Sequence, residues 1–383
     1  MTTRPRILLV GAGGYGRLYL ESLLSRDTGA DLAAVCDVDP ALPEKIPLLR
    51  RRGIPVYPDL DTFFARDTAD LAILASPVHF HTQMVLACLE HGAHVLCEKP
   101  LCLTVSEAQA MEQAAQKAGR FVAVGYQLNY RRDVLALKAD ILAGRFGAPV
   151  RFGVYHGFRR GANYYARNNW AGHITCQGRE VFDSPFTNAC AHHFQMLTFL
   201  LGDSMDTSRP IRDLEAELYR GNPTIENYDI AALRFHTDAG TPVHYYTAHP
   251  IPTECWGPRG ILEFEKATIT YRGEKPVFTG RMKNGETFDY SHVDPGEDMQ
   301  KLLDVIQAVK TGEPPVCGIR ADLPHIEAVR MVQACPIRPV DSRLVEQVLT
   351  ENDRFFFVKD LEQNLARCAD QWALPGELGI RLD

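Results

Sequence analysis

Residues 7–16 read ILLVGAGGYG, an apolar run from Ile7 to Val10 that breaks into a turn carrying glycine at 11, 13, 14 and 16. A helix-like stretch follows, with Leu18, Leu20, Leu23 and Leu24 on its apolar side. A second apolar run, Leu32 to Cys36, ends in Asp37, about 20 residues beyond the turn. Strand, glycine turn, helix and a second strand closing on an acid predict a unit that grips the diphosphate of a dinucleotide. Gly11 permits the tight turn, Gly13 lets main-chain N–H groups approach the phosphates, and Gly16 lets the helix pack close to the strand. The helix N-terminus, with its unpaired N–H groups, then faces the anion. Gly14 and Tyr15 complete the turn. Asp37 is placed to accept hydrogen bonds from the adenosine ribose, and no arginine follows it directly to welcome a 2′-phosphate, so NAD is favoured over NADP. The plainer alternative is an ordinary glycine turn beside a solvated aspartate.

The same alternation continues outward. Leu71 to Ala75, His94 to Cys97 and Phe121 to Val124 read as strands, with helices over Thr82 to His91 and Val105 to Ala118 between them. This rhythm predicts an α/β domain over residues 1–125 built on a doubly wound parallel sheet. After Gly125 the segments become longer, aromatic and alternating: Val150 to Tyr155, Leu214 to Tyr219, Ile230 to Phe235, Val243 to Thr247, Ile261 to Phe264 and Ala267 to Tyr271. They predict an α+β domain over residues 126–383 with one large, mostly antiparallel sheet. Helices are expected over Leu135 to Ala143, Pro185 to Leu201, Glu297 to Lys310 and Leu323 to Gln333. Ser184 serves as N-cap of the second, Pro185 as its first residue and Gly202 as its stop. A tail from Pro336 onward carries its own apolar stretch, Phe355 to Val358.

A chain of 383 residues exceeds what one hydrophobic core usually organises, and its 45% hydrophobic content suffices for two. A net charge of −7 with scattered lysine and arginine argues against a nucleic-acid partner. The ten cysteines form no C-x-x-C pair and sit mostly among apolar or small residues, as reduced core cysteines of a cytoplasmic protein would. The N-terminal apolar run is short and enters the glycine turn directly, so it reads as a first strand rather than a signal sequence, and no segment has the length of a membrane helix.

Chemistry-bearing residues gather at the carboxyl ends of the predicted parallel strands, where open sheets hold ligands. Ser76, Pro77, His79 and His81 follow the strand ending at Ala75, and CEKPL at 97–101 places Glu98 and Lys99 at the end of the next. Lys99 can donate to a substrate hydroxyl or carbonyl, and a cationic nicotinamide beside it would draw its pKa toward useful acid–base range. A lysine that merely caps a carbonyl at the turn is the simpler alternative. Asn188 and His192, four residues apart, are expected on one helical face, with His192 able to take a proton from an alcohol. His79, His81, Cys190, His192 and His193 raise the question of a metal, but their spacings match no ligand set, and none is expected. No G-x-S-x-G elbow supports a nucleophilic serine.

With GAGGYG at 11–16, SPVHFHTQMVLACLEHGAHVLCEKPL at 76–101, VGYQ at 124–127 and the stretch from His192 to Gly202, the chain resembles the glucose-fructose oxidoreductase and inositol dehydrogenase (Gfo/Idh/MocA) family over roughly residues 5–335. The resemblance implies an N-terminal Rossmann domain holding the nicotinamide cofactor and a C-terminal domain that binds a sugar, sugar acid or inositol-like polyol. It also implies homo-oligomerisation, as dimer or tetramer, through the exposed face of the C-terminal sheet. The family's catalytic lysine, aspartate and histidine map onto Lys99, Asn188 and His192, with an amide where the family has a carboxylate. An amide cannot accept a proton or stabilise a protonated histidine by charge, though it can orient a hydroxyl. His192 is therefore the expected base, Lys99 an orienting acid and Asn188 a substrate ligand. The resemblance further implies that Gln127 contacts the cofactor and that Tyr126 and Asn129 contact substrate. The polar, aromatic loop NYYARNNWAG at 163–172 offers Tyr164, Asn169 and Trp170 as a sugar platform, or as ordinary loop packing. The function implied is NAD-dependent hydride transfer at a carbinol carbon. The alternatives are glycoside cleavage through transient oxidation, as in some relatives, and a dinucleotide-binding sensor without catalysis.

Overall fold

A computed structural model describes residues 4–383. The chain divides into two compact units. The first runs through Arg131 and takes back Gly296–Leu323, and the second comprises Arg132–Pro295 and Pro324–Asp383. The sequence-based boundary at residue 125 thus falls just short of the first crossing. It also omits the returning segment, whose helix Gln300–Thr311 is distant in sequence but belongs to the first unit.

The first unit is built on a six-stranded parallel sheet in the order Val56–Tyr57, Asp31–Cys36, Arg6–Val10, Leu71–Leu74, His94–Cys97, Val122–Val124. The central strands are buried along nearly their whole length, as parallel strands covered on both faces must be. Strand order reverses between Arg6–Val10 and Leu71–Leu74, which sets the glycine turn and the Ser76 turn side by side at the switch point of a Rossmann sheet. Helix Gly16–Ser25 buries Tyr19, Leu20, Leu23 and Leu24 and leaves Leu18 about half exposed. Tyr19, not Leu18, faces inward because its hydroxyl finds a buried acceptor in Glu98. Helix Val105–Ala118 lies where expected, capped by Thr104 and stopped by Gly119 in the left-handed region.

The second unit carries a nine-stranded mixed sheet. Its order is Thr287–Asp289, Thr279–Met282, Ala267–Arg272, Cys255–Phe264, Pro149–Phe158, Pro242–Ala248, Ile230–Thr237, Ile211–Arg220, Ile337–Pro339. Two neighbouring pairs run parallel and the rest antiparallel. Helix Ala191–Leu200 packs on one face, bringing Phe194 against Phe235 and Tyr245. The tail packs on the other: helix Leu361–Gln371 sets Leu361, Leu365 and Cys368 against Tyr219, Tyr246 and Trp256. The middle of the sheet face expected to be exposed for self-association is therefore covered by the chain's own tail. Among the described residues no helix is long and apolar enough to cross a membrane.

One predicted helix is half right. Residues 184–190 form irregular turns, and regular helix begins only at Ala191. Ser184 does act as a cap, accepting from Thr187 N through its hydroxyl at 3.2 Å. The next bonds mix spacings, Asn188 N to Ser184 O and Cys190 N to Pro185 O, so the turn is wider than α. Side chains hold it open: Thr187 Oγ1 donates to Phe182 O, and Asn227 Nδ2 donates to Asp183 O. Asn188 consequently lies outside the helix that carries His192 and does not share a helical face with it, contrary to the expectation from their spacing.

Candidate active site

The glycine turn divides its glycines into two kinds. A Cβ on Gly11 would stand 2.9 Å from Ala75 O at a φ of +80°, and one on Gly16 would lie 1.9 Å from Gly11 O, so both positions are closed by close main-chain approach. At Gly13 and Gly14 a Cβ would meet nothing within 4 Å. These two face open space in front of helix Gly16–Ser25, whose N-cap Tyr15 contributes no side-chain bond to the first N–H groups. Arg17 N and Leu18 N bond back to Gly14 O and Tyr15 O, and the positive end of this ten-residue helix stands behind the open glycines, a site suited to an anion. Asp37 stands across the turn. One carboxylate oxygen accepts from Ala12 N at 2.7 Å and the other from Asp39 N at 2.9 Å, which fixes the group while leaving each oxygen a second lone pair. Val38 beside it is 90% exposed, an apolar surface the sequence reading passed over.

Around Lys99 the expected cofactor ligands prove to be braces. His81 is buried, with Nε2 2.8 Å from Ser76 O and Nδ1 3.0 Å from Pro100 O. Its ring ties the Ser76 turn to the Lys99–Pro100 turn, and burial lowers its proton affinity. Both ring nitrogens face main-chain carbonyls, so the expected contact with cofactor is corrected to a positioning one. Pro77 opens helix Val78–Glu90, and Ser76 Oγ donates to Met84 Sδ. Glu98 points inward rather than at a ligand. It accepts from Tyr19 Oη at 2.7 Å and from Lys301 Nζ at 2.5 Å, and Lys301 also donates to Gly125 O at 3.0 Å. Burial penalises both charges of this pair, but their mutual attraction and hydrogen bonds outweigh it, holding the carboxyl below and the ammonium above their ordinary ranges. Gly125 is required here, since a Cβ would stand 2.6 Å from Glu98 Oε1. Lys301 lies 203 residues from its partner, so no local pattern announces it.

Tyr126 and Asn129, expected to touch substrate, are both fully buried inside the first unit. Tyr126 hydrogen-bonds Asp322, and Asn129 Nδ2 donates to Cys317 Sγ at 3.4 Å. Gln127, between them in sequence, opens a short 3₁₀ turn and is half-buried. Asp322 also accepts from Leu101 N at 3.1 Å, and burial pushes its carboxyl up to about 7. Lys99 itself is half-buried, between a buried acid, Glu98, that is paired with Lys301 and a residue, Leu101, whose N–H is held by another buried acid, Asp322.

In the second unit Asn188 pairs with a carboxyl group five residues before it. Asn188 Nδ2 donates to Asp183 Oδ1 at 2.8 Å, and Asp183 Oδ2 accepts from Gly172 N at 2.7 Å. Asp183 is 4% exposed, so the pair couples the Asn188 amide to a buried anion and directs its Oδ1, an acceptor, the other way. His192 is half-buried on the first turn of helix Ala191–Leu200. The 163–172 loop stacks on itself: Arg167 lies over the rings of Tyr164 and Trp170, and Asn168 Oδ1 accepts from Trp170 N and Ala171 N. Tyr165 Oη pairs with His249 Nδ1 at 2.9 Å. Asn169 is exposed, while Tyr164 and Trp170 are partly covered by this stacking.

A glycine turn at the switch point of a six-stranded parallel sheet, with an uncapped helix behind it and an acid across it, defines a dinucleotide-binding protein of the Rossmann type. Residues 5–126 match a family described as oxidoreductase family, NAD-binding Rossmann fold. The chain is similar to that family over this N-terminal stretch, about a third of its length. It is 35% identical to the inositol 2-dehydrogenase of Rubrobacter xylanophilus over 154 residues, 40% of this chain and 44% of that protein. It is 29% identical to the inositol 2-dehydrogenase of Rhodococcus erythropolis over 320 residues, 80% of this chain and 84% of that one. The chain thus spans about half the length of several curated relatives, the Rubrobacter enzyme among them, and most of the Rhodococcus one. In fold it is similar to the WlbA dehydrogenase of Bordetella pertussis, solved with NADH and UDP-GlcNAcA, at a TM-score of 0.70 and 20% identity over 86% of this chain and 96% of that one.

Proposed function

We propose that this chain is an NAD-dependent oxidoreductase moving a hydride between nicotinamide and the carbinol carbon of a sugar, sugar acid or inositol-like polyol. The observation that carries the proposal is the division of the glycine turn, with Gly13 and Gly14 open before an uncapped helix N-terminus while Gly11 and Gly16 are closed. A diphosphate suits that cradle, and Asp37 suits a ribose diol better than a 2′-phosphate, which supports NAD over NADP. When bound, the nicotinamide ring takes up or returns the hydride.

The chain's own residues hold the substrate and move its proton. Lys99 donates from its ammonium to the substrate oxygen, and the rigid seating of its turn sets the direction of that bond. His192 takes the hydroxyl proton during oxidation and returns it during reduction. Asn188, turned by Asp183, accepts from a substrate hydroxyl and fixes its orientation. Tyr164, Asn169 and Trp170 offer polar and aromatic surface for a carbohydrate. The ten free cysteines suit a reducing compartment, in keeping with a cytoplasmic enzyme, and the net negative charge suits a small-molecule rather than nucleic-acid partner. The two inositol 2-dehydrogenases support an inositol among the first substrates to try, and the sugar-acid ligand of WlbA supports a uronic acid.

The test is NADH formation when the purified chain meets NAD and a panel of inositols, aldoses and uronic acids. The proposal predicts reduction with at least one of these classes. Failure to bind NAD together with no reduction by any of them would contradict it.

A further inference from the structure

Away from the residues assigned to cofactor and substrate, the second unit gathers metal-ligating side chains from four separate segments. His156 comes from strand Pro149–Phe158, His193 from helix Ala191–Leu200, Cys255 from the start of strand Cys255–Phe264, and Glu274 from the turn after strand Ala267–Arg272. The ligand atoms of His156, His193 and Glu274 all lie within 4.8 Å of one another. Glu274 Oε1 is 2.8 Å from His156 Nε2 and 3.8 Å from Cys255 Sγ. The thiols of Cys190 and Cys255 both lie within hydrogen-bonding range of the His156 ring.

Two features distinguish this cluster from a chance meeting of polar groups. His156 is 1% exposed, yet both its ring nitrogens lack a well-directed hydrogen bond despite the nearby carboxylate. A buried imidazole left in that state is costly, and a cation at the centre of the cluster would satisfy it. The second imidazole is already oriented as metal-bound histidines are. His193 Nδ1 sits 3.3 Å from the Tyr271 hydroxyl, so its Nε2 is turned away from that partner. The rings of His156 and His193 meet edge to face at 4.9 Å, the arrangement in which two imidazoles aim nitrogens at one point without stacking.

We propose that His156, His193, Glu274 and the Cys255 thiolate form a binding site for a divalent transition metal of the zinc class. Two imidazoles, a thiolate and a carboxylate are a donor set that zinc accepts in tetrahedral geometry, and magnesium or calcium would decline the nitrogen and sulfur ligands. Glu274 is about half exposed and gives the ion a route in from solvent. The bound ion fastens the first turn of the helix bearing His192 to the sheet beneath it. No metal is expected from short spacings along the sequence, because these ligands lie 37, 62 and 19 residues apart and meet only through the fold.

The test is metal content by plasma mass spectrometry after the purified chain is equilibrated with zinc chloride and dialysed, followed by absorption spectroscopy with cobalt chloride in its place. The expected result is about one zinc per chain, falling 10–100-fold in affinity or lost altogether in His156→Ala and Glu274→Gln. Because Glu274 is at the surface, Glu274→Gln should retain the far-ultraviolet circular dichroism of the parent, separating lost binding from lost folding. Cobalt should give the visible bands of a tetrahedral ion and a sulfur-to-metal charge-transfer band that disappears in Cys255→Ser. Zinc washing out completely from the parent chain, or retained equally by His156→Ala and Glu274→Gln, would overturn the proposal. A cobalt adduct without the sulfur band would overturn the place given to Cys255.

Discussion

The turn that carries Lys99 and the segment that carries His192 are built in opposite ways. The first is seated on buried acids: Glu98, ion-paired with Lys301, before it, and Asp322, whose carboxyl is pushed up to about 7, on Leu101 N after it, with His81 clasping the Pro100 carbonyl. The second is seated on neutral hydrogen bonds among Ser184, Thr187 and Tyr228, with one buried anion, Asp183, turned onto an amide. A buried ion pair seldom adds net stability over apolar packing, but losing one partner strands the other at high cost. The Lys99 turn should therefore be rigid and intolerant, and the 183–190 turn more tolerant of exchange.

The sharpest break in this comparison is at Lys99. Lys99→Ala should lower turnover by about 10²–10⁴-fold, the usual worth of a positioned acid or base, while the dissociation constant for NAD measured by fluorescence titration stays within a few-fold of the parent. Next in size, Lys301→Met should destabilise the first unit by about 3–5 kcal/mol in denaturant unfolding, because it leaves Glu98 buried without a counter-ion. Adding Glu98→Gln to Lys301→Met should recover a large part of that loss.

A smaller effect tests the second unit. Asn188→Asp places a second carboxylate against Asp183 and should lower activity at neutral pH by about tenfold, since two adjacent acids resist joint ionisation. The exchange Asp183→Asn with Asn188→Asp keeps one acid and one amide and should restore much of the activity. Equal activity of the single and double variants would break the coupling.

The mildest effect is a slope against pH. Asp322 has its pKa raised from 3.8 to about 7 by burial, so the native state holds a proton that the unfolded chain releases. Its contribution to stability is present in full below about pH 4 and is lost as pH rises toward about 7. The slope is at most about 1.4 kcal/mol per pH unit. Asp322→Asn should flatten the pH dependence of unfolding free energy across that window relative to the parent.

What could be read from the residues follows how far each cause reaches along the chain. The glycine turn, the parallel strands and helix Val105–Ala118 are set by neighbours within a few residues, and all appear where the pattern places them. Sheet strands of the second unit were legible from alternation only in part. Ile261 to Phe264 reads as a strand, but buried and partly exposed residues alternate throughout Cys255–Phe264, whose first six residues include Gly257, Pro258 and Gly260 and carry no apolar run. Position along a strand end did not reveal direction. Glu98, His81 and Tyr126 stand where ligands are held but point inward, because Lys301, main-chain carbonyls and Asp322 wait there, and two of those partners return from beyond residue 295. The Ser184–Pro185 signal correctly marked a cap but not the wide turn after it, which Asn227 and Phe182 impose through space.

Calorimetric titration of NAD into the parent chain and into Gly13→Val tests the claim on which the account rests most directly. A valine Cβ at that position meets nothing in the fold. The variant should therefore unfold at the parent's denaturant midpoint yet lose NAD binding by at least about a hundredfold, since the side chain fills the space in which a diphosphate must approach the main chain. Gly13→Val binding NAD as tightly as the parent would contradict the account.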